Sequence, residues 1–232
     1  MHGMPRRVSR EAAVTGAAES AAEGAWDLPT RLFHWALVVL VVFSYATGNI
    51  GGAWMEWHMR SGYAILALLG FRLAWGFMGP AHARFASFLR GPSTAAAYVR
   101  ALRGGERRRT PGHNPLGGWM VMLMLALLLL QAGTGLFSND ESAHEGPLAA
   151  KVSNAVVDRM SALHGINQGV IVTAVVIHIL AVAFYEWRLR MNIVRPMLVG
   201  VPSRPVTLAL AALLLVVSAM AVYALVAIYP RP

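Results

Sequence analysis

The run "SALHGINQGVIVTAVVIHILAVAFYEW", residues 161–187, decides how this chain is read. A membrane-spanning helix needs about 20 mostly apolar residues to cross a hydrocarbon core of about 30 Å, and this run supplies them. It also carries two imidazoles, His164 and His178. Ionisable side chains at membrane depth are costly and mark functional sites. Fourteen residues at about 100° each fall about 40° short of four full turns, so the two rings share one face. They stand about 21 Å apart along the axis, one toward each side of the membrane.

Four further runs have the length and apolarity to cross: residues 29–50, 54–78, 116–137 and 206–229. The composition agrees. The 232-residue chain is 56% hydrophobic and only 13% charged, against about 25% charged for soluble domains. Cysteine is absent, which excludes disulfides, thiolate metal sites, cysteine-bound iron–sulfur clusters and covalent haem attachment. Any cofactor is held by His, Met, carboxylate or backbone. The fold class is an all-α integral membrane protein: a four-helix transmembrane bundle plus a fifth C-terminal transmembrane helix. The fifth run has no internal charge and no histidine, so a structural or lipid-facing role is expected. No internal repeat is legible.

The net charge of +9 does not indicate nucleic acid, because the arginines cluster between the apolar runs. Fifteen of the 20 positive residues fall on one side. They are Arg6, Arg7, Arg10 and Arg31, then the seven arginines of residues 84–109, then Arg188, Arg190, Arg195 and Arg204. The positive-inside rule makes that side cytoplasmic, with the carboxy terminus periplasmic. Residues 138–160, with Asp140, Glu141, Glu145 and Asp158, form the outer loop. Residues 1–25 lack an apolar signal region and read as a flexible cytoplasmic tail. Residues 26–200 form the main transmembrane domain, and residues 201–232 add the last helix. Within the long cytoplasmic loop, "GPSTAAAYVRALRGG" has helix start and stop signals and one apolar face of Ala95, Val99 and Leu102, the pattern of an interfacial helix.

Four of the eight histidines lie in spans. His34 begins the first, His58 begins the second, and His164 and His178 share the fourth. Depth pairs His34 with His178 on the cytoplasmic side and His58 with His164 on the outer side. A single membrane histidine can simply hydrogen-bond a neighbouring helix. Two depth-matched pairs fit a planar cofactor clamped by two imidazoles, and haem b is the candidate. Two histidines without carboxylate or thiolate partners make a poor divalent-metal cage.

The stretches "WDLPTRLFHW", "WHMRSGYAILALLGFRLAWGFMGPAHARFASF", "GHNPLGGWM", "TGLF" and "LHGINQGVIVTAVVIHILAVAFYEW" resemble the bacterial cytochrome b561 family, which includes the b-type cytochrome subunit of nickel–iron hydrogenases. The resemblance spans about residues 26–200. It implies a four-helix core holding two haems b, with His34, His58, His164 and His178 as axial ligands. It further implies electron transfer between a periplasmic redox protein, such as a hydrogenase or a c-type cytochrome, and the quinone pool. The bacterial inner membrane, its lipids and quinone are then the expected surroundings. Such a chain is an electron-transfer subunit of an oxidoreductase complex. Rival readings are a stand-alone superoxide:quinone oxidoreductase of the same fold, and a haem-free anchor or metal transporter.

Three arginines join the candidate cofactor site. Arg72, fourteen residues after His58, shares its face and either pairs with a haem propionate or snorkels to the interface. Arg31 and Arg60 either neutralise propionates at the two rims or anchor their helices at the interface. His113, in "GHNP", opens the third span or serves a quinone site. Trp35, Trp54, Trp57, Trp75, Trp119 and Trp187 are expected mostly as an interfacial aromatic belt.

Overall fold

A buried acid starts the first span. Asp27 caps α1 (Leu28–Ile50): its carboxylate accepts the Thr30 N–H at 3.3 Å, and Pro29 follows in the first turn, where a missing N–H costs nothing. The computed structural model describes residues 26–106, 113–140 and 144–228. The tail at 1–25 lies outside the described residues, as does Glu141. Gly51 and Gly52, at φ 67° and 55°, supply the left-handed backbone that turns the chain into α2 (Met55–Met78).

Short turns, including α3 (Phe85–Phe88), lead to α4 (Pro92–Arg103). This is the expected amphipathic helix. Its half-buried residues include Ala95, Val99 and Leu102, and its fully buried anchor is Tyr98. Asn114 caps α5 (Pro115–Gly135) by accepting the Gly117 N–H at 2.8 Å. Then come α6 (Asn154–Ala183), continued by a π-helical turn over Phe184–Arg188, short α7 (Arg195–Leu198) and α8 (Pro205–Ile228). The five long helices α1, α2, α5, α6 and α8 are each apolar enough to cross a membrane. α6 begins seven residues before the apolar run does. Asp158 and Arg159 lower hydropathy but do not oppose helix formation, and Val157 is buried, so the helix projects beyond the apolar run.

α1 packs on α2, α5 on α6, and α2 also meets α5 and α8. α2 is therefore the hub and the most buried of the long helices. Leu69 and Trp75 on it are fully buried, surrounded by Phe33, Phe71, Leu125, Leu128, Ile171 and Ala211. The fifth span packs on α2 near Gly70, where a Cβ would stand 3.2 Å from Ser218 Oγ. Its other face, with Val206, Leu213, Val217 and Tyr223, is exposed and apolar, as a lipid contact requires. The linker before it folds back on α1: Arg31 donates to the Leu198 carbonyl at 2.7 Å, Trp35 Nε1 to the Met197 carbonyl at 3.1 Å, and the Leu28 N–H to Ser203 Oγ at 3.0 Å.

Candidate cofactor site

α1 and α2 run antiparallel, as do α5 and α6, so His58 and His164 reach the same end of the bundle, opposite the amino terminus. Their rings meet edge to face, with centroids 6.0 Å apart and planes at 85°. With metal–imidazole bonds of about 2 Å, two rings sharing one metal have centroids roughly 6 Å apart.

The other edge of each ring is held by the neighbouring helix. His58 Nδ1 lies 2.8 Å from the Ser44 carbonyl and 3.2 Å from Ser44 Oγ, both on α1. His164 Nδ1 lies 3.0 Å from the Gln131 carbonyl and 3.2 Å from Thr134 Oγ1, both on α5. A carbonyl only accepts, so Nδ1 carries the proton in both rings. That leaves Nε2 with a free lone pair, the form in which imidazole binds a metal. Ligating histidines usually show this second hydrogen bond. The donor set thus fits a group bound by two imidazoles.

The close approach of helix to ring needs glycine. A Cβ on Gly48 would stand 2.7 Å from His58 Nδ1, and one on Gly135 would stand 3.1 Å from His164 Cε1. Ser44, Gln131, Thr134 and Gly48 were not singled out for this role in the sequence. Their signal is present as "SYATG" (44–48) and "QAGTG" (131–135). The local geometry repeats too. Thr47 Oγ1 donates to the carbonyls of Phe43 and Ser44 at 2.8 and 3.1 Å, and Thr134 Oγ1 to those of Leu130 and Gln131 at the same two distances. Five residues on α1 and five on α5 repeat one device, too short and too dissimilar to stand out in the sequence.

His34 and His178 lie within electrostatic range of each other at the amino-side end of the bundle. His34 Nδ1 is buried and has no hydrogen-bond partner among the described residues. The two ends thus differ: one ring pair is braced by carbonyls, and in the other His34 is not.

Arg72 is 3% exposed and is held within the protein. Its guanidinium lies 4.8 Å over the Phe85 ring, it interacts with the Asp27 charge, and one of its nitrogens has no partner among the described residues. Asp27 is the hub of this end. It also accepts Trp75 Nε1 at 3.1 Å and lies 3.7 Å from His82 Nε2. Burial works to raise its pKa, but the His82 imidazole and the Thr30 hydrogen bond prevail and hold the carboxyl below its ordinary value. Trp75, fully buried, is no belt residue, whereas Trp35, Trp54, Trp57, Trp119 and Trp187 are exposed. His113 is walled by Trp26 and Phe88, with ring centroids at 4.4 and 4.5 Å. Burial, and then the Arg72 charge, push its pKa down to about 3. It is neutral at physiological pH.

The remaining arginines lie apart. Arg31 is bound to Leu198, as above. Arg60 is exposed, 2.8 Å from Glu56 and 5.3 Å over the Trp57 ring.

A family model described as prokaryotic cytochrome b561 matches residues 25–200, well over half of the chain. No curated protein and no solved structure matches it.

Proposed function

This chain belongs to the prokaryotic cytochrome b561 family, and from that premise we propose that it is a di-haem b cytochrome carrying electrons between a periplasmic redox protein and the quinone pool. Family membership makes it a b-type, multi-pass bacterial membrane cytochrome of electron transfer. The two-haem count, the partners and the quinone are our reading. The observation that carries it is the pair His58 and His164, each with Nδ1 on a carbonyl and the rings 6.0 Å apart.

Haem would supply a one-electron couple when bound, and a pair of imidazoles would hold each one. The chain's part is to hold the rings and exclude water. His58 and His164 would hold one haem, His34 and His178 the other, at depths about 21 Å apart. Arg72, deep in the bundle with one nitrogen unpaired, has a donor to offer a propionate. Arg31 and Arg60 would act at the rims, although each already has a protein partner. The donor would be a hydrogenase or a c-type cytochrome, and quinone the acceptor, with the amino terminus in the cytoplasm.

Pyridine-haemochrome quantitation of the purified wild type and of four single His→Ala variants tests this. Two haems per chain are expected, falling to about one in each variant. The lost absorption band should be shared by His34→Ala and His178→Ala, and a different one by His58→Ala and His164→Ala. One haem in the wild type, or losses that cross these pairs, defeats the reading.

A further inference from the structure

The two histidine pairs differ in what holds the far edge of the rings, and that difference has a chemical consequence. On the far side both Nδ1–H groups point at backbone carbonyls, at 2.8 Å for His58 and 3.0 Å for His164. A hydroxyl stands beside each carbonyl, Ser44 Oγ and Thr134 Oγ1, both 3.2 Å from Nδ1. Thr134 Oγ1 commits its one proton to its own helix, 2.8 Å from the Leu130 carbonyl. Its lone pairs therefore face the ring, and it is a second acceptor for His164. On the amino side His34 Nδ1 is buried with no acceptor among the described residues.

An imidazole that donates Nδ1–H to a good acceptor is a more basic ligand. More electron density on the ligand favours oxidised iron, and hydrogen bonding around the ligands is one of the protein's levers on haem potential. The far-side pair has this lever on both rings. His34 lacks it.

We propose that Ser44 and Thr134, together with the carbonyls of Ser44 and Gln131, are positioning residues that fix His58 and His164 as Nδ1–H donors and make the far-side haem the lower-potential of the two. The inference rests on the di-haem reading above and deepens it by naming the residues that set the order of the two potentials. Electrons run downhill from the far-side haem to the amino-side haem, so the donor docks at the end carrying His58 and His164.

The helix geometry supports a dedicated device. Thr47 and Thr134 both bond back to the carbonyls three and four residues earlier, a pattern that bends a helix. In both cases the carbonyl three residues earlier, of Ser44 or of Gln131, is the one that accepts from the imidazole. Gln131 is itself fixed, since its side-chain oxygen accepts Asn167 Nδ2 at 2.7 Å. A ring held only for packing needs none of this.

The test is a spectroelectrochemical titration of the purified holoprotein, wild type and variants. The wild type should show two waves, and His34→Ala should retain only the lower. Thr134→Val removes an acceptor while keeping the shape. It should shift the lower wave to higher potential, leave the upper wave in place, and be restored by Thr134→Ser. Ser44→Ala should shift the same wave in the same direction, and it adds no atoms that could displace the ring. The proposal is overturned if His34→Ala retains the higher wave, or if the lower wave stays in place in Thr134→Val. It is equally overturned if both waves move together, or if Thr134→Val loses its haem while Ser44→Ala leaves the lower wave unmoved. A wild type with one haem or none refutes the di-haem reading instead, and haem counting separates the two failures.

Discussion

Asp27 joins segments that are far apart in sequence. It caps α1 through Thr30, receives Trp75 from α2, and lies beside His82 and the buried Arg72. Leaving the Thr30 N–H or Trp75 Nε1 without its buried acceptor costs about 1–3 kcal/mol, so this end of the bundle depends on the carboxylate. The pH response follows from two depressed pKa values. His113 sits at about 3 in the folded chain against an ordinary 6.5. The unfolded chain therefore takes up the proton first, and stability present above pH 6.5 is lost as the pH falls toward 3. Within that window each pH unit costs at most about 1.4 kcal/mol. Asp27 is held below 3.8, so its contribution is complete above that value and is lost as the pH falls through its lower folded pKa. Thermal unfolding in detergent should show a smaller decline in Tm between pH 6.5 and 4 for His113→Phe than for the wild type. Equal declines in the two proteins would show that His113 is not a source of this acid sensitivity. None of this was legible in the sequence. Nothing in "WDLPT" says that Trp75, forty-eight residues later, donates to the Asp27 carboxylate.

At the scale of elements, the spans were legible because the membrane leaves few choices. With no water in the hydrocarbon, a crossing chain must satisfy its backbone internally, and an apolar run of about 20 residues has to be a helix. The five helices accordingly cover the five apolar runs, and the amphipathic α4 was legible from its caps. The departure at α6 has the opposite cause. Outside hydrocarbon, hydropathy no longer reports helix, and residues 154–160 are helical although most of them are exposed. The join between α2 and α3 is set by packing. A Cβ on Gly76 would collide with the Phe85 ring, and that ring lies against Arg72. Gly76→Ala should therefore cost about 1–3 kcal/mol by overpacking, read as a lowered Tm. The smaller Phe85→Leu should recover part of that loss in the double variant. Strictly additive losses would show that the two side chains do not meet.

At the scale of the molecule, α2 is the centre, flanked by α1, α5 and α8. The hairpins α1–α2 and α5–α6 correspond at the far-side site. His58 and His164 stand in equivalent places, and the residues fourteen positions on are Arg72 and His178. The amino-side end breaks that correspondence, with an arginine on α2 where α6 has a histidine. Orientation is a prediction at this scale. Because the natural chain has no cysteine, single cysteines report cleanly. In intact cells an impermeant maleimide should label Ala150→Cys, beyond α5, and spare Ser93→Cys in the arginine-rich loop. The reverse pattern would invert the assigned topology.

The sequence alone determined that there are five spans and which four histidines lie in them. Helix rise and membrane thickness are fixed lengths, so position along the chain translates directly into depth. Tertiary structure decided which ring edges are held and by what. It also decided that α2 is the hub, that Arg72 lies inside the protein, and that Trp75 is core. These depend on which helix faces which. Between apolar helices in lipid that choice is made by side-chain packing and a few interhelical hydrogen bonds of roughly 0.6 kcal/mol each, terms too small and too local to read from the pattern of one helix.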